Sequence, residues 1–84
     1  MSDLERGQSW LTAQYRANGV ETGDWRRASG GLNYDLWRLE IIVEGERKSV
    51  GFNQNELEEC GCGDEELREM MLARIRELLS GRGQ

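Results

Sequence analysis

The sequence contains no histidine and no proline, and only two of its 84 residues are cysteine. Histidine is the side chain that most often transfers protons in enzymes near neutral pH, and it is also a common zinc ligand. No nucleophilic side chain is accompanied by an identifiable base. A phosphate-binding loop is followed by a lysine and a helix, and "ASGGLN" is followed by neither. We therefore expect a protein that is not an enzyme and that carries no cofactor.

The two cysteines, Cys60 and Cys62, lie within "ECGCGDEELREMM" and raise the question of a metal or redox site. Their Cys-x-Cys spacing is neither the Cys-x-x-Cys of redox motifs nor the paired spacing of structural zinc sites, which need about four nitrogen or sulfur ligands. Two copies of the chain could supply four thiolates, and the sequence leaves that alternative open. The favoured interpretation is a helix start, with Gly63 or Asp64 as the N-cap and acidic residues that suit the helix dipole. No metal ligand is assigned, and both cysteines are expected to be small, partly buried side chains.

Long apolar runs are also missing, since none approaches the roughly 20 residues that a membrane-spanning helix needs. The polar start "MSDLERGQ" does not resemble a signal peptide, so we expect a cytoplasmic protein whose cysteines stay reduced. Apolar residues make up 37% of the chain and include three tryptophans, enough for a small core. We predict a single domain over residues 1–84 with a frayed tail over residues 81–84.

Acidic residues outnumber basic residues by 16 to 11, which gives a formal net charge of −5. Most of the acidic excess lies in residues 53–84. A net acidic chain is not typical of proteins that bind nucleic acid or an anionic membrane. Another protein is therefore the expected partner, and a second copy of this chain is an alternative.

The chain begins with a predicted helix over residues 3–18. Leu4, Leu11 and Tyr15 fall at spacings of seven and four residues, which place them on one helical face. Ser2 is a suitable N-cap, and the Asn-Gly pair at residues 18 and 19 predicts the end of the helix.

A β-hairpin is predicted over residues 34–52, because Trp37, Leu39, Ile41 and Val43 alternate with polar residues. A two-residue loop at Glu44-Gly45 would pair Leu39 with Val50 and Trp37 with Phe52, whereas a four-residue loop would pair Ile41 with Val50 and Leu39 with Phe52. The preceding residues 20–33 are rich in glycine, and they support either a short strand over residues 24–28 or a loop.

A final amphipathic helix is predicted over residues 64–79, with Leu67, Met71, Ile75 and Leu78 in its central apolar stripe. Residues 53–62 are interpreted as a polar link with one helical turn near residues 56–59. Arg68 lies three residues after Glu65, a spacing at which a weak intrahelical ion pair is expected.

The predicted fold class is α+β: an N-terminal helix, a small antiparallel sheet of two or three strands centred on the hairpin, and the C-terminal helix packed on one sheet face. This order resembles that of double-stranded RNA-binding domains. The basic residues expected at the start of their last helix are replaced here by "GDEELREMM", so the shared order implies no shared function.

Two sets of residues are candidate binding sites. The first is acidic and would dock a basic protein partner; it comprises Glu58, Glu59, Asp64, Glu65 and Glu66. An uncovered apolar edge is an alternative docking surface. The second set, Trp25, Arg26 and Arg27, could stack on and neutralise a nucleic acid strand. Either set also has a plain structural interpretation, as a solvated helix start or as a core tryptophan beside paired arginines.

Overall fold

The computed structural model describes residues 2–28 and 35–80, which form three helices and one antiparallel sheet in the strand order β1-β2-β3. The elements in chain order are α1 (Asp3–Ala17), β1 (Glu21–Arg27), β2 (Leu36–Val43), β3 (Glu46–Asn53), α2 (Gln54–Cys62) and α3 (Glu65–Ser80). The helices cover one face of the sheet, which confirms the predicted α+β class. The predicted tail over residues 81–84 lies outside the described residues, as do residues 29–34.

Helix α1 begins as its sequence predicts. The Ser2 hydroxyl accepts a hydrogen bond from the Glu5 N–H, and the Glu5 carboxylate accepts one from the Ser2 N–H, both at 3.2 Å. This reciprocal capping satisfies main-chain donors that the first helical turn would otherwise leave unpaired. The helix ends at Ala17, one residue earlier than predicted, and Gly19 follows with a φ of 81°.

The hairpin has the two-residue loop. Glu44 and Gly45 have φ values of 51° and 80°, as a type I′ turn requires at both central positions. The register pairs Trp37 with Phe52 and Leu39 with Val50. The longer loop is thereby excluded, and the predicted apolar face is confirmed.

Residues 21–27 form a third strand, so the strand interpretation of this segment is right and the loop interpretation is wrong. The strand starts three residues earlier than predicted, and its register with β2 shifts between Thr22 and Trp25. Gly23 lies in this irregular segment, where an added Cβ would stand 2.9 Å from the Glu40 carboxylate. Trp25 lies opposite Leu39, and its ring centroid is 5.7 Å from that of Phe52.

The segment read as a polar link is helix α2, which corrects the prediction of a single helical turn. The Glu56 carboxylate accepts a hydrogen bond from the Asn53 N–H at 3.0 Å and so fixes the start of the helix. Helix α2 then packs very closely against α1 at two glycines. A Cβ on Gly7 would collide with the Leu57 carbonyl, and one on Gly61 would collide with the Asp3 carbonyl.

Asp64 is the N-cap of α3, and its carboxylate accepts a hydrogen bond from the Leu67 N–H at 3.1 Å. Gly63 is the C-cap of α2 instead, with a φ of 95°. The predicted stripe of α3 is largely buried. Its members Leu67, Met71 and Ile75 join the same core as the buried residues of the sheet, of α1 and of α2. None of the helices within residues 2–28 and 35–80 has the length and apolarity needed to cross a membrane.

Candidate functional site

Arg68 joins the three helices at one corner of the molecule. Its guanidinium donates two hydrogen bonds to the Cys60 carbonyl, from Nε at 3.0 Å and from Nη2 at 2.8 Å. The same guanidinium lies over the ring of Trp10, with its carbon 5.0 Å from the ring centroid. The prediction that Arg68 pairs with Glu65 is therefore wrong, because the unsatisfied carbonyl at the end of α2 and the indole of α1 bind this side chain.

The five acidic residues singled out from the sequence lie on either side of the turn between α2 and α3, and we call this surface the acidic junction. Its members are Glu58, Glu59, Asp64, Glu65 and Glu66, and all except the half-buried Glu58 are exposed. The ion pairs among the described residues are Arg6–Asp3, Arg27–Asp35 and Arg74–Glu56, and none involves the junction. The guanidinium of Arg68 donates to the Cys60 carbonyl and covers Trp10, and this nearest basic residue of α3 forms no ion pair with the junction.

An exposed apolar patch adjoins the acidic junction on the outer side of α3. Met70 is 53% exposed. It lies in a shallow depression of about 720 Å³ whose lining residues are Glu66, Glu69, Met70, Leu72, Ala73 and Arg76. Glu66 belongs to both surfaces, so acidic and apolar groups are continuous there. Met70 lies off the buried stripe of α3, and this position is the signal in the sequence for its exposure.

The second candidate set is not brought together on one surface. The Trp25 indole N–H donates to the Thr12 hydroxyl at 3.0 Å, on the side of the sheet that the helices cover. Arg26 lies opposite Arg38 and is exposed on the uncovered face. Arg27 lies opposite Trp37, and its guanidinium is 3.8 Å from the Asp35 carboxylate. The alternation of side chains along β1 separates neighbours in sequence onto opposite faces.

The two cysteines differ in environment and are both free thiols. Cys60 is fully buried, and this burial raises the pKa of its thiol, although the nearby Arg68 opposes the effect. Cys62 is exposed, and its thiol donates to the Asp3 carboxylate at 3.1 Å, which raises the pKa of Cys62. A raised pKa disfavours the nucleophilic thiolate. Across the described part of the chain, no three Cys, Asp or Glu side chains are grouped so as to hold a metal ion.

A groove runs along the flank of α1 beside the outer strand β1, and we call it the α1–β1 groove. It has a volume of about 590 Å³, and its lining residues are Glu5, Gln8, Ser9, Thr12, Ala13, Arg16 and Trp25. The Gln8 amide nitrogen Nε2 is shielded from solvent and has no hydrogen-bond partner among the described residues. Of the residues predicted to be functional, only Trp25 belongs to this groove.

Comparison of the chain with protein-family models, with curated proteins and with solved structures gave no match.

Proposed function

We propose that this chain is a small, non-enzymatic binding or regulatory protein that recognises a basic segment of another protein through the acidic junction. The observation that carries the proposal is the absence of ion pairs at the five junction carboxylates within the described residues, while the adjacent cation Arg68 is bound to Cys60 and Trp10. An exposed acidic surface whose carboxylates form no ion pairs within the described residues attracts and orients a basic partner.

Met70 would supply the apolar part of the interface. Charged groups at the rim of an interface contribute mainly to association rate and specificity, whereas buried apolar anchors contribute much of the affinity. A methionine is suited to this role because its flexible thioether adapts to partners of different shape. The expected partner segment therefore carries both lysine or arginine and at least one large apolar side chain.

A cytoplasmic location is part of the proposal. Cys60 and Cys62 are both free, which fits a compartment that keeps thiols reduced. Nucleic acid binding through Trp25, Arg26 and Arg27 is not favoured, since these residues lie on different faces and the net charge of −5 repels phosphate.

The test uses partners captured by cross-linking in the source cells and then purified, with affinity measured by calorimetry at several salt concentrations. The junction variant is Glu59→Gln/Glu65→Gln/Glu66→Gln. The matched control is Glu21→Gln/Glu46→Gln/Glu77→Gln, which changes three other exposed acids and has the same net charge. We expect the junction variant to lose about tenfold in affinity, or about 1.4 kcal/mol, and the control to lose little.

Equal losses in the two triple variants would mean that only the net charge matters, and the proposed site would be wrong. Met70→Gln should weaken binding without changing its salt dependence, because it removes apolar contact and no charge. Ultracentrifugation of the purified chain tests the remaining alternative, in which the partner at this surface is a second copy.

A further inference from the structure

The α1–β1 groove has features that folding alone does not explain. Gln8 contributes a buried amide N–H₂ group that finds no partner among the described residues, although such groups are nearly always paired in folded proteins. Trp25 contributes a half-buried indole whose own N–H is already bound to Thr12. The groove lining therefore includes an apolar ring surface and an amide whose shielded nitrogen has no partner among the described residues.

The two ends of the groove carry opposite charges. Glu5 lies at one end of the lining set and Arg16 at the other. They are eleven positions apart on α1, which corresponds to about 16 Å along the helix axis. An extended peptide of about five residues has the same length.

Among the described residues β1 is one of the two outer strands of the sheet, and its edge away from β2 borders this groove. The Ala28 N–H donates to the Leu36 carbonyl at 2.8 Å. Hydrogen-bonded pairs alternate along an antiparallel ladder, so the main-chain N–H and C=O of Arg26 also point toward β2. The main-chain groups of Trp25 point away from β2. The register shift between Thr22 and Trp25 interrupts the regular edge, and Trp25 is the residue of β1 that lines the groove.

We propose that the α1–β1 groove binds a short extended peptide as an added strand beside Trp25, with a basic residue of the peptide near Glu5 and an acidic residue near Arg16. The peptide backbone hydrogen-bonds with the main chain of Trp25, and a peptide side chain packs on the indole. Rotation of the Gln8 amide gives its Nε2 a peptide carbonyl as partner. Strand addition of this kind takes affinity from main-chain hydrogen bonds and specificity from side-chain pockets.

This inference does not depend on the function proposed for the acidic junction. Trp10, which contacts Arg68 at the junction corner, projects from α1 about 100° to 160° around the helix axis from Ser9, Thr12 and Arg16 of the groove. Variants of one surface therefore leave the other intact, and the two proposals can fail separately.

The test is an NMR titration of the isotope-labelled full chain with the blocked peptide Lys-Val-Ile-Val-Glu and with its reversed sequence, since the chain direction is part of the question. We expect one of them to shift the Trp25 indole, the Gln8 side-chain amide and Ser9 at millimolar peptide, while residues of the acidic junction stay unchanged. A peptide in which glutamine replaces the glutamate should bind several-fold more weakly, and Arg16→Gln should abolish that difference.

Two variants, one of them with a matched control, complete the test. Ala13→Gln fills the groove and should reduce binding at least tenfold, whereas Ala17→Gln on the same helix, outside the groove, should not. Gln8→Leu removes the unpaired donor, so it should weaken peptide binding several-fold while leaving the melting temperature equal to or above that of the parent. Peptide-induced shifts that lie outside the groove, or no shifts at millimolar peptide, would overturn the inference. Equal peptide binding by Ala13→Gln and Ala17→Gln would also overturn it. So would an oligonucleotide that shifts the Trp25 signals when neither peptide does.

Discussion

The guanidinium of Arg68 closes the end of a helix to which it does not belong, because it donates to the Cys60 carbonyl of α2 at 3.0 and 2.8 Å. Helix α2 has no basic residue in its own last turn. The carbonyls at a helix end need partners, and charge-assisted donors are the strongest available. Because the same side chain covers Trp10 of α1, one residue of α3 contacts both other helices.

Arg68→Met should therefore destabilise the protein by about 2 kcal/mol, the cost of losing hydrogen bonds from a charged group. Arg76→Met is the matched control, since Arg76 is an exposed arginine of the same helix. Urea unfolding followed by circular dichroism measures both. Similar midpoints for the two variants would show that the contact with Cys60 adds nothing to stability.

Gly7→Ala and Gly61→Ala should each destabilise the protein by about 1–3 kcal/mol, because the added methyl group collides with a main-chain carbonyl of the facing helix. Alanine is the better helix former by about 1 kcal/mol, so an increase in stability would be expected if α1 and α2 did not meet there. Gly51→Ala serves as the control, since its Cβ would stand 3.5 Å from Leu36, an ordinary contact. Thermal melts compare the melting temperatures of the three variants with that of the parent.

Phe52→Ala should destabilise the protein by about 3–5 kcal/mol, comparable with the total stability of so small a domain. Phe52 is 1% exposed and contacts Trp25. Trp37→Ala should cost less, because Trp37 is only half-buried and its side chain removes less apolar surface from water. Urea unfolding together with near-ultraviolet circular dichroism measures the loss of stability in both variants. A larger loss in Trp37→Ala than in Phe52→Ala would contradict the prediction.

Asp3→Asn should make Cys62 more reactive at lower pH. The hydrogen bond to the Asp3 carboxylate is the main cause of the raised pKa of Cys62, and the negative charge of Asp3 contributes further. Removing that charge lowers the pKa, so the pH at which iodoacetamide reacts at half its maximal rate should fall. Mass spectrometry of Cys62 at a series of pH values measures the rate, with Glu21→Gln as a control that should leave the curve in place.

Cys60→Ser should destabilise the protein by about 1–3 kcal/mol, because it places a hydroxyl in an apolar core where Cys60 is 0% exposed. Cys62→Ser at the exposed position should change stability little. Neither the parent nor the double variant should respond to EDTA, since the start of α3 is fixed by the cap at Asp64. Stoichiometric zinc in the purified protein, with unfolding on chelation, would instead indicate a metal site shared between two chains.

The features that the sequence determined by itself are those encoded within a few neighbouring residues. The capping box at Ser2, the turn at Glu44-Gly45 and the buried stripe of α3 follow from local hydrogen bonds, from allowed backbone angles and from the periodicity of apolar residues. The hairpin register also follows, because the loop length sets which residues are opposite each other.

What only the tertiary structure decided depends on which elements meet in space. Residues 54–62 are helical because α2 packs against α1 at Gly7 and Gly61, and a glycine in the sequence indicates flexibility as readily as close contact. The five acidic residues are recognisable in the sequence. Their lack of ion pairs is a tertiary feature, because Arg68 hydrogen-bonds to the Cys60 carbonyl and covers Trp10. The α1–β1 groove combines residues of a helix and a strand, and no local pattern records that combination, because sequence periodicity describes one element at a time.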